Sequence, residues 1–129
     1  MKRGRKIKFR AWDPDEKIMA NVRALVWNNG YLVVEAFSPK ENELTYVPPF
    51  SPVVMQFTGL HDRNGKEIYE GDIIWWGKDD HAPVSYVFYN DGAFKVSDPE
   101  SDTWELLIDV LNGAEVIGNI YENPELLTA

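Results

Sequence analysis

Turn signals constrain this chain most. Asn28-Asn29-Gly30, Asp62-Arg63-Asn64-Gly65, Gly71-Asp72 and Asn90-Asp91-Gly92 punctuate the sequence, and short apolar runs lie between them. Asn, Asp and Gly tolerate the positive φ that reverses a chain in a tight hairpin. Helical periodicity is almost absent between the signals, so the sequence predicts a mainly β protein.

Ile7, Phe9 and Ala11 alternate with Lys8, Arg10 and Trp12 as a half-buried first strand, and DPDEK at 13–17 turns the chain. Residues 19–27 and 31–37 read as a hairpin about Asn28-Asn29-Gly30. From Ser38 to Pro52 four prolines (Pro39, Pro48, Pro49, Pro52) surround a charged KENE. Proline lacks a ladder donor, so this density of it predicts a linker or long loop.

Val53, Met55 and Phe57 alternate with polar or smaller neighbours as a linking strand. Asn64 and Gly65 are expected to supply the left-handed positions of the next turn, and Lys66 to Tyr69 return from it. Ile73 to Trp76 form a strand apolar on both faces. Val84 to Tyr89 and Ala93 to Val96 continue a meander, and SDTWELLIDVLNG predicts a short strand from Trp104 and one helical turn ending near Gly113. Glu115 to Tyr121 is the last strand, and Asn123-Pro124 makes a closing turn. Residues 1–52 are thus expected to form a small antiparallel unit with a Pro-rich connection. It is expected to pack on 53–129, a linking strand plus an SH3-like, partly open β-barrel with its core at about 69–122, an analogy at the level of fold.

Cysteine is absent, which removes disulfides, thiolate metal sites and Cys nucleophiles. No stretch approaches the roughly 18 apolar residues of a membrane-spanning helix, so a soluble, intracellular protein is expected. Charge is uneven. Lys2, Arg3, Arg5, Lys6, Lys8 and Arg10 are six of the thirteen basic residues, leaving seven basic against twenty-one acidic in the remainder. Such a body repels nucleic acid and anionic membrane.

His61 beside Asp62 has the composition of a general-base pair, but neighbours in a strand point to opposite faces, and a turn histidine is the plainer account. Asp79, Asp80 and His81 offer metal-binding atoms without the three or four scaffolded ligands that selective sites need. No nucleophile elbow, HExxH helix, phosphate loop or dinucleotide fingerprint occurs. No cofactor is expected.

Aromatic residues are the better lead. Trp75 and Trp76 face opposite ways in a regular strand, as do Phe88 and Tyr89, so one face fills the barrel and the other carries large rings outside it. An apolar outer face needs cover, from the same chain, a second copy or a ligand. The candidate partner-binding residues are Trp75, Trp76, Tyr86, Phe88 and Tyr89. Lys2, Arg3, Arg5 and Lys6 are a secondary electrostatic contact.

Four segments, IKFRAWD at 7–13 with Met19 following, MQFTGLHDRNGKEIYEGDI at 55–73, YNDGAFKV at 89–96 and EVIGNIYENPEL at 115–126, together resemble the YopX family, found mainly in bacteriophages and prophages. The resemblance implies an SH3-like barrel portion and a phage or prophage origin, with no established activity. The proline-rich stretch and Trp75-Trp76 depart from the family pattern. The chain is therefore expected to be a non-enzymatic interaction or assembly protein of the host cytoplasm, partnered by itself or by a phage or host protein. The alternatives are a nucleic-acid-associated protein using the basic arm and aromatic face, and a small-barrel ribonuclease similar to MazF-type toxins, which lacks support for want of a basic cluster.

Overall fold

A computed structural model describes residues 4–38, 42–76, 84–98 and 103–127. They divide into two compact units, Ile7–Gln56 and, with the leading residues up to Lys6, Phe57–Ala129. Strand dominates both, and among the described residues no helix is long and apolar enough to cross a membrane.

The amino-terminal unit holds β1 (Phe9–Asp13), β2 (Ile18–Asn28), β3 (Tyr31–Ser38), β4 (Asn42–Tyr46) and the first half of β5 (Val53–His61). Their order is β4-β3-β2-β1-β5, antiparallel throughout. The first strand starts at Phe9 rather than Ile7 and continues into the segment read as a turn. The reason is Asp13, whose Oδ1 accepts the backbone N–H groups of Asp15 at 2.9 Å and Glu16 at 3.0 Å while Oδ2 accepts the Tyr46 hydroxyl at 3.0 Å. With its carboxylate so engaged, Asp13 closes the strand while buried.

Asn29 and Gly30 take φ of 52° and 83°, the two left-handed positions that a hairpin in the sense of the sheet twist requires. The stretch 38–52, read from its prolines as a loop, contains a strand. Residues 42–46 pair with β3 from Ser38↔Asn42 to Val34↔Tyr46. The prolines flank this strand without entering it, and a strand at the end of a sheet requires only one ladder.

The second unit continues β5 into β6 (Glu67–Tyr69). A five-stranded sheet follows, made of β7 (Asp72–Trp76), β8 (Val84–Asn90), β9 (Ala93–Ser97), β10 (Trp104–Leu106) and β11 (Ala114–Asn119) in the order β10-β9-β8-β7-β11. Between β10 and β11 lie α1 (Leu107–Val110) and a 3₁₀ turn at Leu111–Gly113, where the sequence predicts one helical turn. The architecture is mainly β with two antiparallel sheets and is compatible with a partly open SH3-like barrel. Its core gathers Ile68, Ile74, Val87, Val96, Leu107, Val110 and Ala114, with Leu60, Trp76, Phe94, Leu111 and Val116 packed around them. Complete burial of an isoleucine such as Ile68 or Ile74 stabilises by about 2–3 kcal/mol.

The last strand ends at Asn119, two residues short of Tyr121. Asn119 Oδ1 accepts the N–H groups of Tyr121 at 3.1 Å and Glu122 at 2.8 Å, which bends the chain there. Just before it the ladder shifts register between Val116 and Gly118. A Cβ on Gly118 would stand 2.6 Å from Asn123 Oδ1, the atom that accepts the Asn119 N–H at 3.2 Å. Gly118→Ala therefore displaces that side chain and is expected to cost about 1–3 kcal/mol by overpacking, read as a lowered urea midpoint with an unchanged slope. An unaltered midpoint would show that Asn123 has no structural role.

Candidate functional site

The 55–73 segment is built from local geometry. After Phe57 the pairing with β6 shifts register, and Gly59 takes φ +84°. The Thr58 hydroxyl donates to the Ile68 carbonyl at 2.7 Å and accepts the Leu60 N–H at 3.1 Å, so one side chain supports the irregular stretch. In the following turn Gly65 alone takes a left-handed φ; Asn64 does not, because Asp62 orders the turn differently. Asp62 Oδ1 accepts the N–H groups of Asn64 at 2.8 Å and Lys66 at 2.9 Å, and the Gly65 N–H meets the Asp62 carbonyl at 2.9 Å.

Asp62 Oδ2 reaches the Val116 N–H in β11 at 2.9 Å, which ties the turn to the far edge of the five-stranded sheet. Burial by itself raises the pKa of this carboxyl, but the backbone donors of Val116, Lys66 and Asn64 and the Lys66 charge outweigh burial, so it lies below its ordinary value. His61 next to it is exposed and sets its ring edge-on to Phe57 at 5.6 Å. The two side chains thus have different partners and make no acid–base pair.

Arg63 turns toward β11 as well. Its N–H donates to the Ala114 carbonyl at 3.0 Å, its guanidinium pairs with Glu115 at 2.6 Å, and the same group lies 5.2 Å from the centroid of Trp75. Glu115 is the cross-strand partner of Trp75, so ion pair and indole share one patch.

Cross-strand pairs place the remaining rings. Ile73 faces Tyr86, Tyr86 faces Ser97, Phe88 faces Lys95, and Ser97 faces Trp104. Paired residues share a face, so Trp75, Tyr86, Phe88 and Trp104 stand on one side of the sheet together with Ile73 and Lys95. Trp76 and Tyr89 stand on the other. Trp76 packs on the core cluster, with its indole N–H 3.3 Å from Ser85 Oγ, and Tyr89 meets Phe94 edge-on at 5.2 Å.

The five candidate rings therefore form two groups, not one surface. Trp75, Trp76, Tyr86 and Phe88 are half-buried, and Tyr89 is exposed. Tyr86 and Phe88 lie 5.7 Å apart. The chain's own atoms cover the middle of the outer face completely at Ile73 and nearly so at Lys95. Of the secondary contact residues Arg5 and Lys6 are exposed. Lys2 and Arg3 lie outside the described residues, as do Asp79, Asp80 and His81.

Sequence reasoning missed three contributors to the outer face. Trp104 is half exposed, with Lys95 Nζ 3.9 Å from its ring centroid, and Arg63 covers Trp75. Trp104 falls in the short strand that the sequence predicts, which places the ring on a strand without saying beside which others. The other two depend on pairing across the sheet, which has no local signal.

Clefts open among the described residues of both units. One of about 250 Å³ in the amino-terminal unit is lined by residues 13–16, 45–47 and 50–52. Another, about 210 Å³, lies among Trp76, Ser85, Val96, Asp98, Thr103, Trp104 and Glu105. Neither has Lys or Arg among its described lining residues, the groups a ribonuclease site would set against phosphate. Among the described residues no group of three or more His, Asp or Glu is placed to hold a metal ion.

The family model for YopX protein matches residues 8–128. The chain is similar to the crystal structure of protein EF1440 from Enterococcus faecalis, with 33% identity, a TM-score of 0.67, and coverage of 96% of this chain and 99% of that one. It is similar also to the X-ray structure of protein yopX from Bacillus subtilis, with 25% identity, a TM-score of 0.63, and coverage of 95% and 96% respectively. No curated protein matches the chain.

Proposed function

We propose that this chain, which belongs to the YopX family of uncharacterised function, is a non-enzymatic interaction or assembly module that associates with copies of itself. The observation that carries this reading is the outer face of the five-stranded sheet. There Trp75, Tyr86, Phe88 and Trp104 form an aromatic surface with cations set against its two tryptophans, and among the described residues no catalytic constellation accompanies it. Aromatic side chains with Arg are the residue types enriched in protein interfaces. A phage or prophage origin and a place in the bacterial cytoplasm belong to the same proposal.

A nucleic-acid role is the weaker alternative. It needs cations available to phosphate, and on this face Arg63 is paired with Glu115 while Lys95 is buried against Trp104.

Sedimentation velocity over a wide range of protein concentration tests the proposal. The expected result is a mass at a multiple of 14.8 kDa that falls on dilution. A single species of monomer mass at every concentration would overturn it.

A further inference from the structure

The amino-terminal unit ends in a segment with a different chemistry from the rest of the chain. Residues 24–34 read ALVWNNGYLVV, without one charged side chain, in a protein that is 26% charged. They form the distal part of the β2–β3 hairpin. β1 pairs with β2 only over Ile18–Asn21, and β4 pairs with β3 only over Val34–Ser38. From Val26 to Val33 the hairpin is therefore a two-stranded ribbon with no described strand on either flank.

A ribbon of two strands is marginal in water unless a third strand or a packed layer joins it. This one also exposes large apolar groups. Val26 and Tyr31 are 46% and 62% exposed on one face, and Trp27 is 69% exposed on the other. Lys, Pro and inward-pointing charges are the usual protections of an open strand edge, and residues 24–34 contain none of them. Charge resumes at the base of the ribbon and is paired there: Arg23, at a register shift, bonds Glu43 at 2.7 Å and lies 4.0 Å from Glu35.

We infer that this ribbon is a second contact surface, beside the aromatic face, through which two copies of the chain join edge to edge about a two-fold axis; this rests on the self-association proposed above. An open antiparallel edge is complementary to its own copy, because antiparallel pairing about a two-fold brings the same N–H and C=O groups together in both directions. The occupant is a second copy because the edge matches itself, and charge limits where two copies can meet. Beyond its first ten residues the chain carries seven basic and twenty-one acidic groups, so two identical bodies repel wherever their charged surfaces meet. The ribbon lets them meet without apposing carboxylates.

The area is modest. An aromatic side chain offers roughly 150–250 Å² for burial, so the exposed parts of Trp27 and Tyr31 amount to about 250 Å² per protomer, of which edge pairing covers the part turned toward the neighbouring strand. Val26 and the ribbon backbone add to this, and a total below the roughly 1,200 Å² at which stable specific interfaces begin makes the association concentration-dependent.

The experiment compares the wild type with the double variant Trp27→Thr, Tyr31→Thr by sedimentation velocity, with circular dichroism to confirm the fold. Both positions are exposed and threonine favours strands, so the fold is expected to persist. The expected result is wild-type association weakened at least tenfold in the double variant, with an unchanged melting temperature at dilutions where both are monomeric. As the chain lacks native cysteine, Asn28→Cys carries a single spin label, and its dipolar broadening is expected to rise as copies associate. Wild-type association that survives the double substitution would overturn the ribbon assignment and leave self-association standing. A monomeric wild type would overturn both, as would a monomer that binds zwitterionic lipid vesicles through Trp27, which would make the ribbon a lipid contact.

Discussion

Replacing Asp62 with alanine is expected to lower the unfolding free energy by about 3 kcal/mol at neutral pH, because one buried carboxylate holds three backbone donors and leaves them without it. Two of the donors, Asn64 and Lys66, lie in an exposed turn where water substitutes for the lost acceptor. The third, Val116 N–H, is in β11, 54 positions away, and its loss loosens the attachment of the turn to the sheet. The cost is a large part of the roughly 5–15 kcal/mol that a folded domain has in total.

The same contact makes stability depend on pH in one direction. The folded-state pKa of Asp62 lies below the ordinary 3.8, so the carboxylate's contribution is fully present above that value and is lost as pH falls through the folded value. Urea unfolding measured from about pH 7 down to about pH 2 should therefore show the wild type converging on Asp62→Asn at the acid end. Parallel curves across the range would show that the carboxylate charge has no part in the clamp.

Ile74→Ala is expected to cost about 3–4 kcal/mol, toward the upper part of the range for buried aliphatic truncations. Ile74 has no exposed surface and packs within the cluster of Ile68, Val87, Val96, Leu107, Val110 and Ala114. It lies on β7, which is paired on both sides by β8 and β11, so backbone movement cannot close the cavity cheaply. Ile74→Val removes one methylene and is expected to cost only about 1 kcal/mol. Equal and small losses for both variants in chemical denaturation would mean that this cluster does not organise the unit.

The aromatic pair next to Ile74 shows how far sequence carried. Trp75 and Trp76 are adjacent in a strand, and their opposite orientation follows from the period of two alone. That Trp76 packs on the core while Trp75 lies beneath Arg63 does not follow, since both contacts join residues brought together by other strands. Trp104 was passed over as a site residue for the same reason: its place beside Tyr86 and Phe88 exists only once β10, β9 and β8 are in register. Proline density misled at 42–46, because local composition cannot show that a neighbouring strand offers its edge.

What the sequence by itself determined is the β class, the positions of the hairpins and the short helical turn before the last strand. Those features depend on positive-φ residues and on alternation, both of which act over a few residues. The tertiary structure alone decided that Asp62 clamps Val116, that Arg63 covers Trp75, that the candidate rings divide between two faces, and that residues 26–33 have no flanking strand among the described residues. Each of these depends on pairings between distant parts of the chain, whose partners no local pattern specifies.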